Sequence, residues 1–139
     1  VSANLTLRIP NRVEELSGVS EAVEKLGREE AWTPDVSYAV VLALEEVATN
    51  VVRHGGGAEG TSEIEIEISS TDEEVRVEVR DSGKPFDPFH DAPEPDVDAG
   101  LADRKIGGLG VHFVRVLMDE ASYRREDDRN HVTMVKRRS

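Results

Sequence analysis

The order of apolar patterns along the chain predicts an α/β (α+β) protein: a two-layer sandwich whose mixed, largely antiparallel sheet is covered on one face by helices. Three observations carry this expectation. Segments with period two and segments with period three to four follow one another as strand, two helices, hairpin, long loop, short helix and hairpin. Ser62 to Ile68 and Val75 to Arg80 alternate apolar with charged residues across a short polar turn containing Thr71 and Asp72, the mark of an antiparallel hairpin with one face in water. No strand feeds a Walker-type glycine loop, and the chain has no room for a doubly wound parallel sheet.

Leu5, Leu7 and Ile9 alternate with Thr6 and Arg8, which predicts a half-buried strand ended by Pro10-Asn11. From Arg12 to Arg28, the spacing of Val13, Leu16, Val19, Val23 and Leu26 predicts an amphipathic helix despite Gly18. Thr33 is placed as the N-cap of a second helix, with Pro34 in its first turn and Asp35 complementing its dipole. That helix is expected to run to about Arg53, bury Val36, Val40, Ala43, Val47 and Val51, and stop at the glycines 55–57. Residues 82–108 hold four of the chain's six prolines and little periodicity, so a lid over a ligand is expected at about 84–107. Leu109 to Met118 reads as helix, Ala121 to Arg125 as strand, and His131 to Lys136 as a last strand after a polar turn. No internal repeat is apparent.

A length of 139 residues predicts a single domain over 1–139 with a core that needs no covalent staple. Cysteine is absent, which excludes a disulfide framework or thiolate metal site. No apolar run approaches the ~20 residues of a membrane span, and the amino terminus lacks a signal-like pattern. A soluble, cytoplasmic protein with no membrane partner is therefore expected. The net charge of −12 argues against a nucleic-acid groove, which needs concentrated positive charge. A basic or mixed protein partner fits better, although acidity also serves solubility alone.

Glu46 and Asn50 lie one helical turn apart, so they share a face and can act on one ligand, whereas Glu45 points away from that face. Glu46 is suited to general-base work on a hydroxyl that attacks a phosphoryl group, and Asn50 offers a neutral oxygen for Mg²⁺. A solvated or salt-bridged pair is the alternative reading of the same spacing. Asp81 closes the hairpin, where its carboxylate can accept from an exocyclic amine such as that of adenine, with Gly83 admitting a flat ring close to the backbone. A plain Asp-Ser-Gly turn is the alternative. Gly107, Gly108 and Gly110 precede a helix whose N–H groups can receive phosphate oxygens, with Arg104 and Lys105 upstream as cationic contacts. A hinge and ordinary lid solubility are the alternatives there. Phe86 and Phe89 either shape a pocket wall or anchor the loop. His54 at a helix end reads as a cap or surface residue, and the four histidines show no zinc spacing.

Taken together and in this order, the segment from Leu44 to Gly55, Asp81-Ser-Gly-Lys-Pro-Phe-Asp-Pro88, and the segment from Gly107 to Glu120 resemble the N box and two glycine boxes of the ATP-binding fold shared by gyrase, sensor histidine kinases and MutL. The closer resemblance is to stand-alone anti-sigma-factor serine/threonine kinases of the RsbW and SpoIIAB type. Tyr123 to Arg125 and Asn130 to Lys136 resemble that family's closing strands. The resemblance implies the Bergerat ATP-binding fold, with Glu46 as catalytic base and Asn50 as Mg²⁺ ligand. It further implies Asp81 and Gly83 as adenine contacts, and Arg104, Gly108, Leu109 and Gly110 as nucleotide contacts around the phosphates. The implied activity is transfer of the ATP γ-phosphate to a Ser or Thr of a STAS-domain anti-sigma-factor antagonist, with sequestration of a sigma factor and a homodimeric state. Lys84-Pro85 stands where many relatives outside this subgroup carry a second glycine. The alternative is a non-catalytic ATP-binding regulatory module controlling a protein partner.

Overall fold

Alternation along each strand places one set of residues in the core and the other in solvent, and the sheet follows from that pattern. The computed structural model describes residues 3–54, 63–91 and 113–139. Its strands are β1 (Ala3–Pro10), β2 (Glu63–Ser70), β3 (Glu74–Asp81), β4 (Glu120–Glu126) and β5 (Arg129–Arg137). They form one sheet in the order β1-β2-β3-β5-β4. Every neighbouring pair is antiparallel, so no parallel component of the expected mixed sheet occurs among the described residues. The β2–β3 register opposes Ile66 to Val79 and Ile68 to Val77, which sets the apolar residues side by side on one face. Thr71 closes that hairpin by accepting the N–H groups of Glu73 and Glu74 on its hydroxyl.

The helices are α1 (Leu16–Glu29), α2 (Pro34–His54), α3 (Pro88–Asp91) and α4 (Val114–Leu117). The first helix starts later than its periodicity predicts. Val13–Glu15 form a 3-10 turn, and Val13, carried off the apolar stripe, is 47% exposed. Val19, Val23 and Leu26 are buried as expected. A Schellman arrangement ends α1: Trp32 N–H donates to Gly27 O at 2.9 Å and Ala31 N–H to Arg28 O at 3.3 Å. Ala31 occupies the left-handed position, φ 57°, that glycine usually fills. Gly27 itself allows a close approach, because a Cβ there would lie 2.7 Å from Cε3 of Trp32.

Thr33 caps α2 as expected, its Oγ1 accepting the Val36 N–H at 3.3 Å. The helix buries Ala39, Leu44 and Ala48 in addition to the expected stripe, because α1 packs on one side of it and strands β3 and β5 on another. Leu5, Leu7 and Ile9 join the cluster as half-buried members. The expected helix from Leu109 to Met118 is present as α4 within the described residues and stops at Leu117, while 109–112 lie outside them. The helix α3, at the start of the proline-rich segment, has no periodic signature and was not expected. Phe86 and Phe89 pack against the core, so they anchor this segment. Residues 92–107 of the expected lid and glycines 55–57 also lie outside the described residues.

The opposite face of the sheet is charged. Arg80, its side chain 16% exposed, pairs with Glu65 at 2.6 Å, with Glu67 at 2.9 Å and with Glu78. Burial pushes the Glu65 carboxyl up, but the hydrogen bond and charge of Arg80, with Arg129 and Arg8 behind it, outweigh burial and hold it below the ordinary range. No described helix is long and apolar enough to cross a membrane.

Candidate functional site

The second half of α2 departs from an apolar stripe in one place. Glu46, Thr49 and Asn50 are each only 6% exposed. Glu46 and Asn50, one turn apart, share one face of the helix, whereas Thr49 lines the α1 side together with Glu45 and Ser20. Burying such groups costs free energy unless they are paired or serve a ligand. Asn50 is held by its own helix, its Nδ2 donating to the Glu46 carbonyl oxygen at 2.9 Å. That bond commits the amide nitrogen and leaves Oδ1 as the end suited to a hard cation. Glu45 behaves differently, as the helical projection requires. It accepts the Ser20 hydroxyl at 2.7 Å and ties α1 to α2.

A second polar centre lies at the end of β3, the central strand. Asp81 is 4% exposed and faces the helical layer, as do Val75, Val77 and Val79. Its Oδ1 accepts the Gly83 N–H at 2.9 Å, so the Asp-Ser-Gly turn given as the alternative reading is present. The same Oδ1 accepts Nδ2 of Asn130 at 3.0 Å from the adjoining strand. Asn130 also donates to the Lys84 carbonyl at 2.9 Å, while its Oδ1 receives the Phe86 N–H at 3.2 Å and the Tyr123 hydroxyl at 2.6 Å. Arg125 reaches Gly83 O at 2.8 Å and Asn130 Oδ1 at 3.2 Å. Burial raises the Tyr123 phenol above its ordinary range, against the lowering effects of a Phe86 backbone hydrogen bond and the Arg125 charge, so it stays a proton donor at neutral pH.

Thus Glu46 and Asn50 are both buried one turn apart on α2, and Asp81 is bonded to Gly83 at the end of β3, on elements that pack on each other. Arg104, Gly108, Leu109 and Gly110 lie outside the described residues. Sequence reasoning missed Asn130. An Asn beside the Asp127-Asp128 turn reads as part of that turn, and only the register opposing Asp81 to Asn130 reveals it as a buried partner.

A divalent cation can be tested against these donors. Among the described residues no cluster of three or more His, Cys, Asp or Glu exists that could cage a metal. The donor set instead offers the amide oxygen of Asn50, one helical turn from the buried Glu46, which fits Mg²⁺, an ion that takes few protein ligands and completes its shell with phosphates and water.

The family model for the histidine kinase-like ATPase domain matches residues 9–136. The chain is 28% identical over 113 residues to the serine/threonine-protein kinase BtrW of Bordetella bronchiseptica, covering 81% of this chain and 79% of that protein. It is 27% identical over 119 residues to the serine-protein kinase RsbW of Listeria monocytogenes, covering 84% and 76%. A solved structure of the RsbU and RsbW domains of a Mycobacterium tuberculosis protein superposes with TM-score 0.71 at 17% identity, over 97% of this chain. This chain spans only 32% of that longer one, so the likeness is one of fold. The RsbW-type relatives are the ones its motifs resemble, and, with the family match running from β1 into β5, the chain belongs to the histidine kinase-like ATPase domain family.

Proposed function

We propose that this chain is a protein serine/threonine kinase and anti-sigma factor. It phosphorylates a STAS-domain anti-sigma-factor antagonist with ATP and sequesters a sigma factor when the antagonist is modified. The observation that carries this reading is the buried pair of Glu46 and Asn50, since a module that merely binds ATP has no need of a desolvated acid beside the amide. The names of the relatives, serine/threonine-protein kinase BtrW and serine-protein kinase RsbW, support the same activity.

In the proposed reaction the substrate hydroxyl oxygen attacks the γ-phosphorus, a new O–P bond forms, the bond to the β,γ-bridging oxygen breaks, and ADP leaves. Glu46 accepts the hydroxyl proton. Asp81 receives the adenine amine, and Gly83 lets the ring approach the backbone. Asn50 holds Mg²⁺, which when bound supplies charge neutralisation at the phosphates. Arg104, Gly108, Leu109 and Gly110 complete the phosphate side in this reading. The working form is a cytoplasmic homodimer.

The test is transfer of labelled γ-phosphate from Mg-ATP to STAS-domain proteins encoded near this chain, with Glu46→Gln in parallel. The expected result is label on a Ser or Thr, reduced roughly 100-fold or more by Glu46→Gln with Mg-ATP binding retained. Normal transfer by Glu46→Gln would remove Glu46 from the role of base. ATP binding without labelling of any candidate would favour the regulatory-module reading.

A further inference from the structure

The side chain of Asn130 is committed in every direction. It is 3% exposed, at the start of β5, directly opposite Asp81. Its two amide protons meet two acceptors, Asp81 Oδ1 and Lys84 O, at 3.0 and 2.9 Å. Its oxygen meets three donors, from Phe86, Tyr123 and Arg125, at 3.2, 2.6 and 3.2 Å. A flipped amide would set donor against donor and acceptor against acceptor, so these neighbours fix its orientation. Few buried amides are satisfied by so many separate segments, and such a network is expected to specify one local geometry.

Two consequences reach the site. Asp81 receives Gly83 N–H and Asn130 Nδ2 on the same oxygen, which fixes the carboxylate plane and directs Oδ2 away from the protein donors described for it. The turn at Lys84-Pro85, where the sequence departs from a second glycine, is pinned on both flanks by the same amide, through Lys84 O and Phe86 N–H. A proline supplies no N–H and needs an outside partner to hold its neighbours, and Asn130 is that partner.

We infer that Asn130 is a positioning residue for purine recognition: it holds Asp81 and the Gly83–Phe86 turn in the one arrangement that receives a 6-amino group. It acts through Asp81 rather than on the nucleotide itself, and the assignment rests on the adenine role proposed for Asp81. Tyr123 and Arg125 secure the amide from its oxygen side.

The experiment is calorimetric titration with Mg-ATP and with the Mg²⁺ complex of purine riboside triphosphate, which lacks the 6-amino group. The proteins are the native chain, Asn130→Ala, Asp81→Asn and the double variant. Asn130→Ala should weaken ATP binding about 10- to 100-fold, the scale of a hydrogen bond to a charged group, and leave the deamino analogue nearly unaffected. In the Asp81→Asn background the further loss from Asn130→Ala should vanish, because a residue acting through Asp81 is not additive with it. Unchanged ATP affinity, equal losses for both nucleotides, or additive losses would each overturn the proposal. If Asn130→Ala does not unfold cooperatively, Asn130→Asp takes its place. It keeps the shape and the three donors while opposing a carboxylate to Asp81, and must show the same amine-dependent, non-additive loss. The two readings separate cleanly. Native ATP affinity in Asp81→Asn removes the adenine role and this proposal with it, whereas a weakened Asp81→Asn beside an unaffected Asn130→Ala removes only the assignment to Asn130.

Discussion

Gly27→Ala tests the packing at the end of α1, and Gly18→Ala on the same helix supplies its control. A Cβ on residue 27 would lie 2.7 Å from Cε3 and 3.3 Å from Cδ2 of Trp32, and 3.1 Å from Oγ of Ser37. Carbon atoms pack at about 3.5 Å or more, so the indole would have to retreat by about 0.8 Å. It has little freedom to do so. Trp32 is 7% exposed, its Nε1 donates to Ser70 Oγ at 2.9 Å, and its own N–H is bound to Gly27 O. Overpacking of this kind costs about 1–3 kcal/mol, and the rigidity of the ring favours the upper end. Helix propensity returns about 1 kcal/mol, leaving a net loss of about 2 kcal/mol. Nothing lies within 4 Å of a Cβ at Gly18, so Gly18→Ala should gain the propensity term of about 1 kcal/mol unopposed.

An unfolding entropy of about 2.1 cal/mol/K per residue over 139 residues converts each kcal/mol to about 3 °C. Gly27→Ala should then melt about 6 °C below the native chain and Gly18→Ala about 3 °C above it. Thermal circular dichroism measures both shifts, and the chain's one tryptophan, Trp32, reports the local environment by fluorescence. A Gly27→Ala variant that melts at or above the native temperature with unchanged emission would refute the packing argument.

Further outcomes follow from the turn and the charged face. Ala31→Gly relieves the left-handed alanine at φ 57° and should raise stability by about 0.5–1 kcal/mol in denaturant titration. Arg80→Met leaves three carboxylates facing one another. Because the Arg80 side chain is still 16% exposed, the loss should be about 2 kcal/mol rather than the ~3–5 of a fully buried pair, and salt should reduce it. Glu65, held below its ordinary range, contributes stability that is complete above the unfolded carboxylate pKa of about 4.3 and is lost as pH falls through its lower folded value. Melting temperatures taken from pH 5 to 3 should therefore fall more for the native chain than for Glu65→Gln, and equal slopes would contradict the pairing.

Local chemistry was sufficient for what repeats within a few residues. Alternation at Ser62 to Ile68 marked β2, Thr33 marked the start of α2, and the spacing of Glu46 and Asn50 put an acid and an amide on one face, because periods of two and 3.6 are properties of the chain itself. The family resemblance was legible for the same reason, since its boxes are contiguous segments. Other features depend on partners far away in sequence. Inserting β5 between β3 and β4 brings Asn130 to Asp81 across 49 residues, and no periodicity near Asn130 announces that. Val13 fits a helical stripe, yet a 3-10 turn takes it to the surface. Arg80 reads as an ordinary outward-facing strand residue, and becomes half of a shielded charge network only when β2 and β3 set three glutamates around it. Sequence by itself determined which residues could face inward; strand order and helix packing, being non-local, decided which of them meet.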